Sequence, residues 1–349
     1  MKELPRITVI VPCRNEEKFL GRCLGSIVRN DFPHDRLEVL VVDGMSEDGT
    51  WHIIQGFSRR FPFVRGLRNP KRITPAALNL GIQNASGEII FRIDAHATVS
   101  PDYFRLCVET LLDSSADNVG GAMETLPRGS GLVPLAIALS ISHPFGVGNS
   151  SFRITNARPI LTDTVFGGCY RREVFNRIGL FNERLPRGQD MEFNLRIIKA
   201  GGRILLDPRL KSAYFAAADL GSFWRHNFHD GQWAVLPFAY SSVVPIRLRH
   251  AVPLVFVLTT LTVALCSWWY LSMRVFLYGL LTAYLTLSFG SSAQSAWRAR
   301  TYRLFFLMPL VFGIRHIAYG VGSAWGMIRL LRDAALLRRF VWRLNCPSP

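Results

Sequence analysis

Residues 251–271, AVPLVFVLTTLTVALCSWWYL, contain no charged side chain. A helix rises 1.5 Å per residue, so about 20 apolar residues cross the hydrocarbon core of a bilayer. A soluble helix of this length would show a polar face, and this stretch has none. It is therefore read as a transmembrane helix, with Trp268, Trp269 and Tyr270 as its interfacial belt. A second uncharged run, 275–290, follows after a short loop expected at Ser272 to Arg274, which predicts a helical hairpin. Arg247 and Arg249 precede the pair and Arg298, Arg300 and Arg303 follow it, so both flanks are expected on the cytoplasmic side. A third apolar segment, about 304–328, is interrupted by Pro309, Arg315 and His316. Beyond it lie Arg329, Arg332, Arg338, Arg339 and Arg343 against the single acid Asp333. A third crossing would carry those arginines to the other side, so this segment is expected to be interfacial or re-entrant, its charged pair facing protein or headgroups.

The rest of the chain has a different character. With 349 residues and 49% hydrophobic content, there is material for a large α/β domain over 1–240 before the membrane region of 241–349. Up to about residue 125, short β-branched runs such as ITVIVP, LEVLVVDG and GEIIFRIDA alternate with helix-compatible segments. That alternation predicts βαβ units, a mainly parallel sheet and a Rossmann-like architecture. The net charge of +16 calls for an anionic partner. Because many arginines flank the apolar segments, the membrane surface answers that demand and nucleic acid is not expected as a partner. Six cysteines show no Cys-x-x-Cys spacing, so they read as reduced, packed thiols rather than a zinc site or a disulfide framework. The run Ile7 to Val11 is too short for the apolar core of a signal peptide, which leaves the N-terminal part expected in the cytoplasm.

Polar residues gather just after the strand-like runs: Arg14-Asn15-Glu16, Asp43-Gly44 and Asp94-Ala95-His96. In an open α/β sheet these are the carboxyl ends of strands, where ligands bind. Asp94 and His96 stand two apart, so on an extended segment they share a face and could grip one cation; an ordinary strand exit is the plainer alternative. Asp43 could equally cap its turn. Asp190 and Glu192 favour the start of a helix at MEFNLRIIKAGG. Gly167 and Gly168 suit a turn or a close backbone approach. Lys71 and Arg72 could meet an anion or form a solvated surface. His226 and His229 read as a polar helix face. Trp233 could stack on a sugar, as aromatic rings do, or anchor an interface.

Taken together and in order, ITVIVPCRNEEKFLGRCLGSI, VLVVDGMSEDGT, ALNLGIQNASGEIIFRIDAH and GQDMEFNLRI resemble the inverting family 2 glycosyltransferases of the GT-A fold, across roughly residues 5–235. The likeness is nearest to membrane-associated glucosyltransferases of succinoglycan-type exopolysaccharide synthesis. It implies a nucleoside-diphosphate sugar donor, expected to be a UDP-sugar, and a lipid-linked saccharide acceptor at the cytoplasmic face of the inner membrane. It further implies that Asp190 is the catalytic base. Donor binding would fall to Pro12, Asn15, Glu16, Asp43, Lys71, Arg72 and Asp94, and acceptor binding to Gly167, Gly168, Glu192 and Trp233. A divalent metal would sit on Asp94 and His96. Where the family has a second acid this chain has His96, and imidazole suits Mn²⁺ better than Mg²⁺. A polyprenyl-phosphate sugar synthase, a processive β-glycan synthase lacking the full Gln-x-x-Arg-Trp arrangement, and a non-catalytic nucleotide-binding scaffold subunit are the alternatives.

Overall fold

A computed structural model describes residues 4–148, 158–241, 243 and 248–333. Arg247, Arg338, Arg339, Arg343 and Cys346 lie outside the described residues. In chain order the elements are β1 (Ile7–Cys13), α1 (Leu20–Val28), β2 (Leu37–Asp43), α2 (Thr50–Arg60), β3 (Val64–Arg68), α3 (Thr74–Asn84), β4 (Ile89–Arg92), β5 (Ala97–Val99), α4 (Tyr103–Asp113) and β6 (Asn118–Leu126). They continue with α5 (Leu132–Ser140), α6 (Pro144–Val147), β7 (Ile160–Leu161), β8 (Phe166–Arg171), α7 (Arg172–Ile178), α8 (Gln189–Lys199) and β9 (Ile204–Phe215). Then come α9 (Leu220–Val235), α10 (Pro237–Tyr240), α11 (Leu248–Cys266), α12 (Leu271–Arg298) and α13 (Leu304–Arg332). Two compact units result, one of residues 1–124 with 155–214, the other of 125–154 with 215–349. The division thus falls before residue 240, and the second unit recruits a segment from the middle of the chain.

The first unit is built on one mixed sheet in the order β3-β2-β1-β4-β8-β6-β9-β5, with β7 on β9. Its N-terminal half is parallel, β1 pairing with β2 and β4, and β2 with β3. β1 and β2 are buried along both faces, which is why they read as continuous apolar runs. The expectation of a mainly parallel sheet holds only here. Beyond β4 the pairings β4–β8, β6–β8, β5–β9 and β7–β9 are antiparallel. No helical crossover is needed between antiparallel neighbours, so alternating periodicity gave no sign of them. Cys13 lies beside Asp43 in the register, which brings the loops after β1 and β2 together at one edge.

In the second unit, three helices are long and apolar enough to cross a membrane: α11 from Arg249, α12 and α13. α11 and α12 leave large side chains such as Val255, Leu261, Val275 and Leu287 exposed, as lipid-facing helices do. Their turn is 267–270, so Ser272 to Arg274 belong to α12 rather than to the loop. Arg274 instead donates Nε to Ser267 O at 2.7 Å and Nη2 to Trp268 O at 3.2 Å, capping carbonyls at the end of α11.

α13 corrects the re-entrant reading. It is one continuous 29-residue helix through Pro309, with no reversal of direction. Proline near a helix start removes a single ladder bond, which the remaining turns tolerate. One face of α13 packs on protein through Leu304, Met308, Val311, Phe312 and Ala318, while Phe306, Leu310, Ile317 and Trp325 are exposed on the other. The backbones of α9 and α13 come very close: a Cβ on Gly231 would stand 2.0 Å from Tyr319 O, and one on Gly322 2.0 Å from Phe228 O. Only glycine permits that approach. The charged pair of the helix faces protein. Arg315 donates Nε to Gly146 O and Nη1 to Asn227 Oδ1 at 2.8 Å. His316 meets Phe145 O at 2.9 Å and the Tyr284 hydroxyl at 3.0 Å.

Candidate active site

The loop after β1 is stitched to the loop after β2. Asn15, in the left-handed region at φ 54°, donates its backbone N–H to Ser46 Oγ and accepts the Glu47 N–H on Oδ1. Asparagine tolerates that conformation better than most residues. Glu16 N–H is taken by Thr50 Oγ1 at 2.7 Å. Pro12 is buried inside β1, opposite Val42. It supports the loop from the core and does not itself offer a contact surface.

Asp43 ends β2 with no exposed side-chain surface. Its carboxylate accepts the Ser46 backbone N–H and hydroxyl, and Arg68 Nη1 at 2.5 Å. The turn-capping alternative is therefore present in the structure, and an ion pair is added to it. Arg68 in turn lies over the Trp51 ring at 3.6 Å, a cation–π contact. Lys71 Nζ is held by Glu183 Oε2 at 2.6 Å, and Asn79 Nδ2 reaches the same carboxylate. That bond to Lys71 holds the Glu183 carboxyl below its usual range. Arg72, with φ 58°, points toward Glu47 at 3.7 Å. Both cations sit beside acids here.

Asp94 and His96 do not lie on one extended strand. β4 ends at Arg92, and Ala97 N–H bonds Asp94 O across a tight turn through Ala95 and His96. His96 Nδ1 faces Glu16 Oε1 at 3.0 Å, and its ring meets Tyr214 edge-on. Glu16 is thus a partner of His96 rather than only part of a base-enclosing loop. With Glu16 ionised, Nδ1 carries the proton and Nε2 becomes the basic nitrogen, the arrangement carboxylates impose on metal-binding histidines. Asp94, its side chain 21% exposed, pairs with Arg92 Nη2 at 3.0 Å. Burial would raise its pKa, but the Arg92 guanidinium overcomes this and holds the carboxyl below the usual carboxylate range.

Arg92 was not singled out from the sequence, where it is one arginine closing an apolar run. Its side chain is only 10% exposed, and its other amino group, Nη1, lies 3.3 Å from Asp190 Oδ2. One guanidinium therefore joins Asp94 to Asp190, although 96 positions separate the two acids. Asp190 stands in the first turn of α8 after Gly188 at φ 71°, and Oδ1 accepts the Met191 N–H at 2.9 Å. A third of its side chain is exposed. Glu192 is different. It is 2% exposed and paired with Arg196 at 3.0 Å, while Arg196 also holds Ile178 O and Leu180 O. So buried a carboxylate anchors α8 through Arg196.

Gly167 and Gly168 are buried in β8 at φ 71° and 133°. A Cβ at Gly167 would meet Arg92 O at 2.9 Å, and one at Gly168 would run into the Tyr170 ring at 2.4 Å. Their close approach is to the protein's own backbone and ring. Trp233 lies on α9 of the second unit, 6.3 Å from the Tyr240 ring. His226 pairs with Asp230 at 3.2 Å, in keeping with a polar helix face. Among the described residues no three His, Cys, Asp or Glu side chains gather as a ready-made metal cage. Asp94 and His96, a carboxylate and an imidazole of the kinds that ligate divalent cations, stand on one tight turn.

The mixed α/β sheet carries its acids at the carboxyl ends of strands, where such folds bind ligands. The family model described as glycosyl transferase family 2 matches residues 8–179. The succinoglycan biosynthesis protein ExoA of Rhizobium meliloti is 31% identical over 249 residues, 70% of this chain and 74% of that protein. A dolichyl N-acetyl-α-D-glucosaminyl phosphate 3-β-D-2,3-diacetamido-2,3-dideoxy-β-D-glucuronosyltransferase of Methanococcus voltae is 29% identical over 230 residues, 64% of this chain and 71% of the relative. Among solved structures, mannosyltransferase PcManGT from Pyrobaculum calidifontis, in complex with GDP-Man and Mn²⁺, superposes with a TM-score of 0.62 over 93% of this chain and 88% of that one, at 21% identity. The chain belongs to glycosyl transferase family 2 and is a glycosyltransferase with candidate membrane-spanning helices.

Proposed function

We propose that this chain is an inverting transferase that moves a hexose from a nucleoside diphosphate, UDP in the first instance, onto a lipid-linked saccharide for extracellular or cell-surface polysaccharide. The observation that carries this reading is the Arg92 bridge, which places a part-exposed carboxylate, Asp190, beside the acid that closes β4. Similarity to a transferase acting on a dolichyl phosphate sugar supports a lipid-linked acceptor, and similarity to a succinoglycan biosynthesis protein supports a polysaccharide product. Apolar helices favour an enzyme held where such an acceptor is confined.

In the proposed reaction Asp190 accepts the proton of the acceptor hydroxyl as that oxygen attacks the anomeric carbon. The bond from that carbon to the diphosphate breaks on the opposite face, and the nucleoside diphosphate leaves with the electron pair. Asp94 and His96 would hold a divalent ion, which when bound offsets the diphosphate charge. Glu16 keeps His96 oriented for that task. The loops after β1 and β2, tied together through Asn15, Ser46 and Asp43, would enclose the nucleoside. The catalytic unit is assigned to the cytoplasmic face of the inner membrane, with α11 and α12 as a hairpin.

Asp190→Asn tests the reading. Turnover of labelled UDP-glucose or GDP-mannose into the lipid extract of membranes should fall roughly 10²-fold or more while nucleotide binding stays near the parent's. Normal turnover would remove Asp190 as the base. For the metal, His96→Asp should raise Mg²⁺ use relative to Mn²⁺; an unchanged ratio would leave His96 a positioning partner of Glu16.

A further inference from the structure

Arg92 is the least expected charge in the first unit. It closes β4 in the middle of the sheet, where β4 pairs with β1 on one side and β8 on the other, a place that ordinarily holds an apolar residue. A buried guanidinium is tolerated only when its charge and its donors are answered. Here Nη2 is answered by Asp94 at 3.0 Å and Nη1 by Asp190 at 3.3 Å. The two carboxylates hold the guanidinium pKa above its ordinary value even though burial works against this. Among the described residues, Nε is buried and has no hydrogen-bond partner, and the same holds for Gln189 Oε1. Gln189 adjoins Asp190 in the chain, and the Tyr170 ring crowds Gly168. Gly167, at φ 71°, lets β8 pass against the Arg92 carbonyl, where a Cβ would come to 2.9 Å. The surroundings are shaped to keep this side chain in one place.

We infer that Arg92 is a positioning residue for transfer: its planar fork fixes the carboxylate of Asp190 at a set distance from Asp94, so that the base and the donor-side acid keep one geometry. The inference rests on the proposed role of Asp190. A neighbouring guanidinium weakens a carboxylate as a base, so basicity is not what Arg92 contributes. It keeps Asp190 aimed, and small misplacements of such groups cost large factors in rate. Lysine cannot substitute. An ammonium is a point charge without the fork, and it would reach one carboxylate or the other.

The experiment is a double-mutant cycle on the full chain in native membranes, reading label from UDP-glucose or GDP-mannose in the lipid extract, with UDP or GDP affinity measured separately. Arg92→Gln should lower kcat by roughly 10- to 10²-fold. In the Asp190→Asn background the same change should cost less than about threefold, because residues acting as a unit are not additive. Multiplying losses would overturn the inference while leaving Asp190 as the base. Full turnover by Asp190→Asn alone would instead defeat the functional reading beneath it. If Arg92→Gln shows no cooperative thermal unfolding, Arg92→Lys carries the cycle. It should lose kcat with the donor KM within about threefold of the parent, and a lysine variant with parental kcat would refute the fork.

Discussion

Two arginines inside this molecule are satisfied in opposite ways. Arg92, in the first unit, is held by two carboxylates. Arg315, in the second, is held by neutral oxygens, the Gly146 carbonyl and the Asn227 amide. The contrast follows the surroundings. The first unit ends its strands at an edge that solvent and ligands reach, so acids can be carried there and can perform chemistry. Along α11, α12 and α13 no Asp or Glu occurs at all, and Arg315 finds acceptors on a backbone carbonyl of α6 and an amide of α9. In the first unit the arginine among acids lies at the candidate site, whereas Arg315 is a structural tie between α13, α6 and α9.

The comparison breaks first at Arg92. Arg92→Met leaves two close carboxylates without a counter-charge and should destabilise the first unit by roughly 3–5 kcal/mol, seen as a drop in thermal midpoint. Arg315→Met strands the Gly146 carbonyl and the Asn227 amide and should cost less, roughly 1–3 kcal/mol. A larger loss at Arg315 would show that charge pairing is not what separates the two sites.

Acid sharpens the contrast. The folded Asp94 carboxyl lies below its ordinary value near 3.8, so its pairing stabilises the fold above that pH and is lost as pH falls through the folded value. Asp207, buried beside Arg209, behaves alike: burial raises its pKa, but the Arg209 hydrogen bond lowers it further. The deficit of Arg92→Met relative to the parent should therefore shrink below about pH 4. The test is thermal unfolding of the parent and of Arg92→Met from pH 7 to 3; a constant deficit would contradict it.

The smallest effect is expected at Lys71, whose pair with Glu183 is largely exposed. Lys71→Met should change stability by roughly 0.2–1 kcal/mol at most. Its nucleotide affinity decides its role: an unchanged Kd for UDP assigns Lys71 to Glu183 alone, and a tenfold weaker one returns it to the diphosphate.

What the sequence carried by itself was periodicity and local chemistry. β-branched runs buried on both faces read directly as β1, β2 and β4, and uncharged stretches read as α11 and α12, because burial leaves its mark residue by residue. The order of the motifs likewise marked Asp43, Asp94 and Asp190. What tertiary structure alone decided were pairings between distant positions. The antiparallel half of the sheet, Arg92 between Asp94 and Asp190, Glu16 on His96, and the backbone contact of Gly231 with α13 have no local signature. Each depends on the fold closing segments that lie tens of residues apart. Glu192 shows the same limit from the other side: its place two residues from Asp190 looked functional, but two positions along a helix turn a side chain by about 200°, and that rotation sends it into the core to meet Arg196.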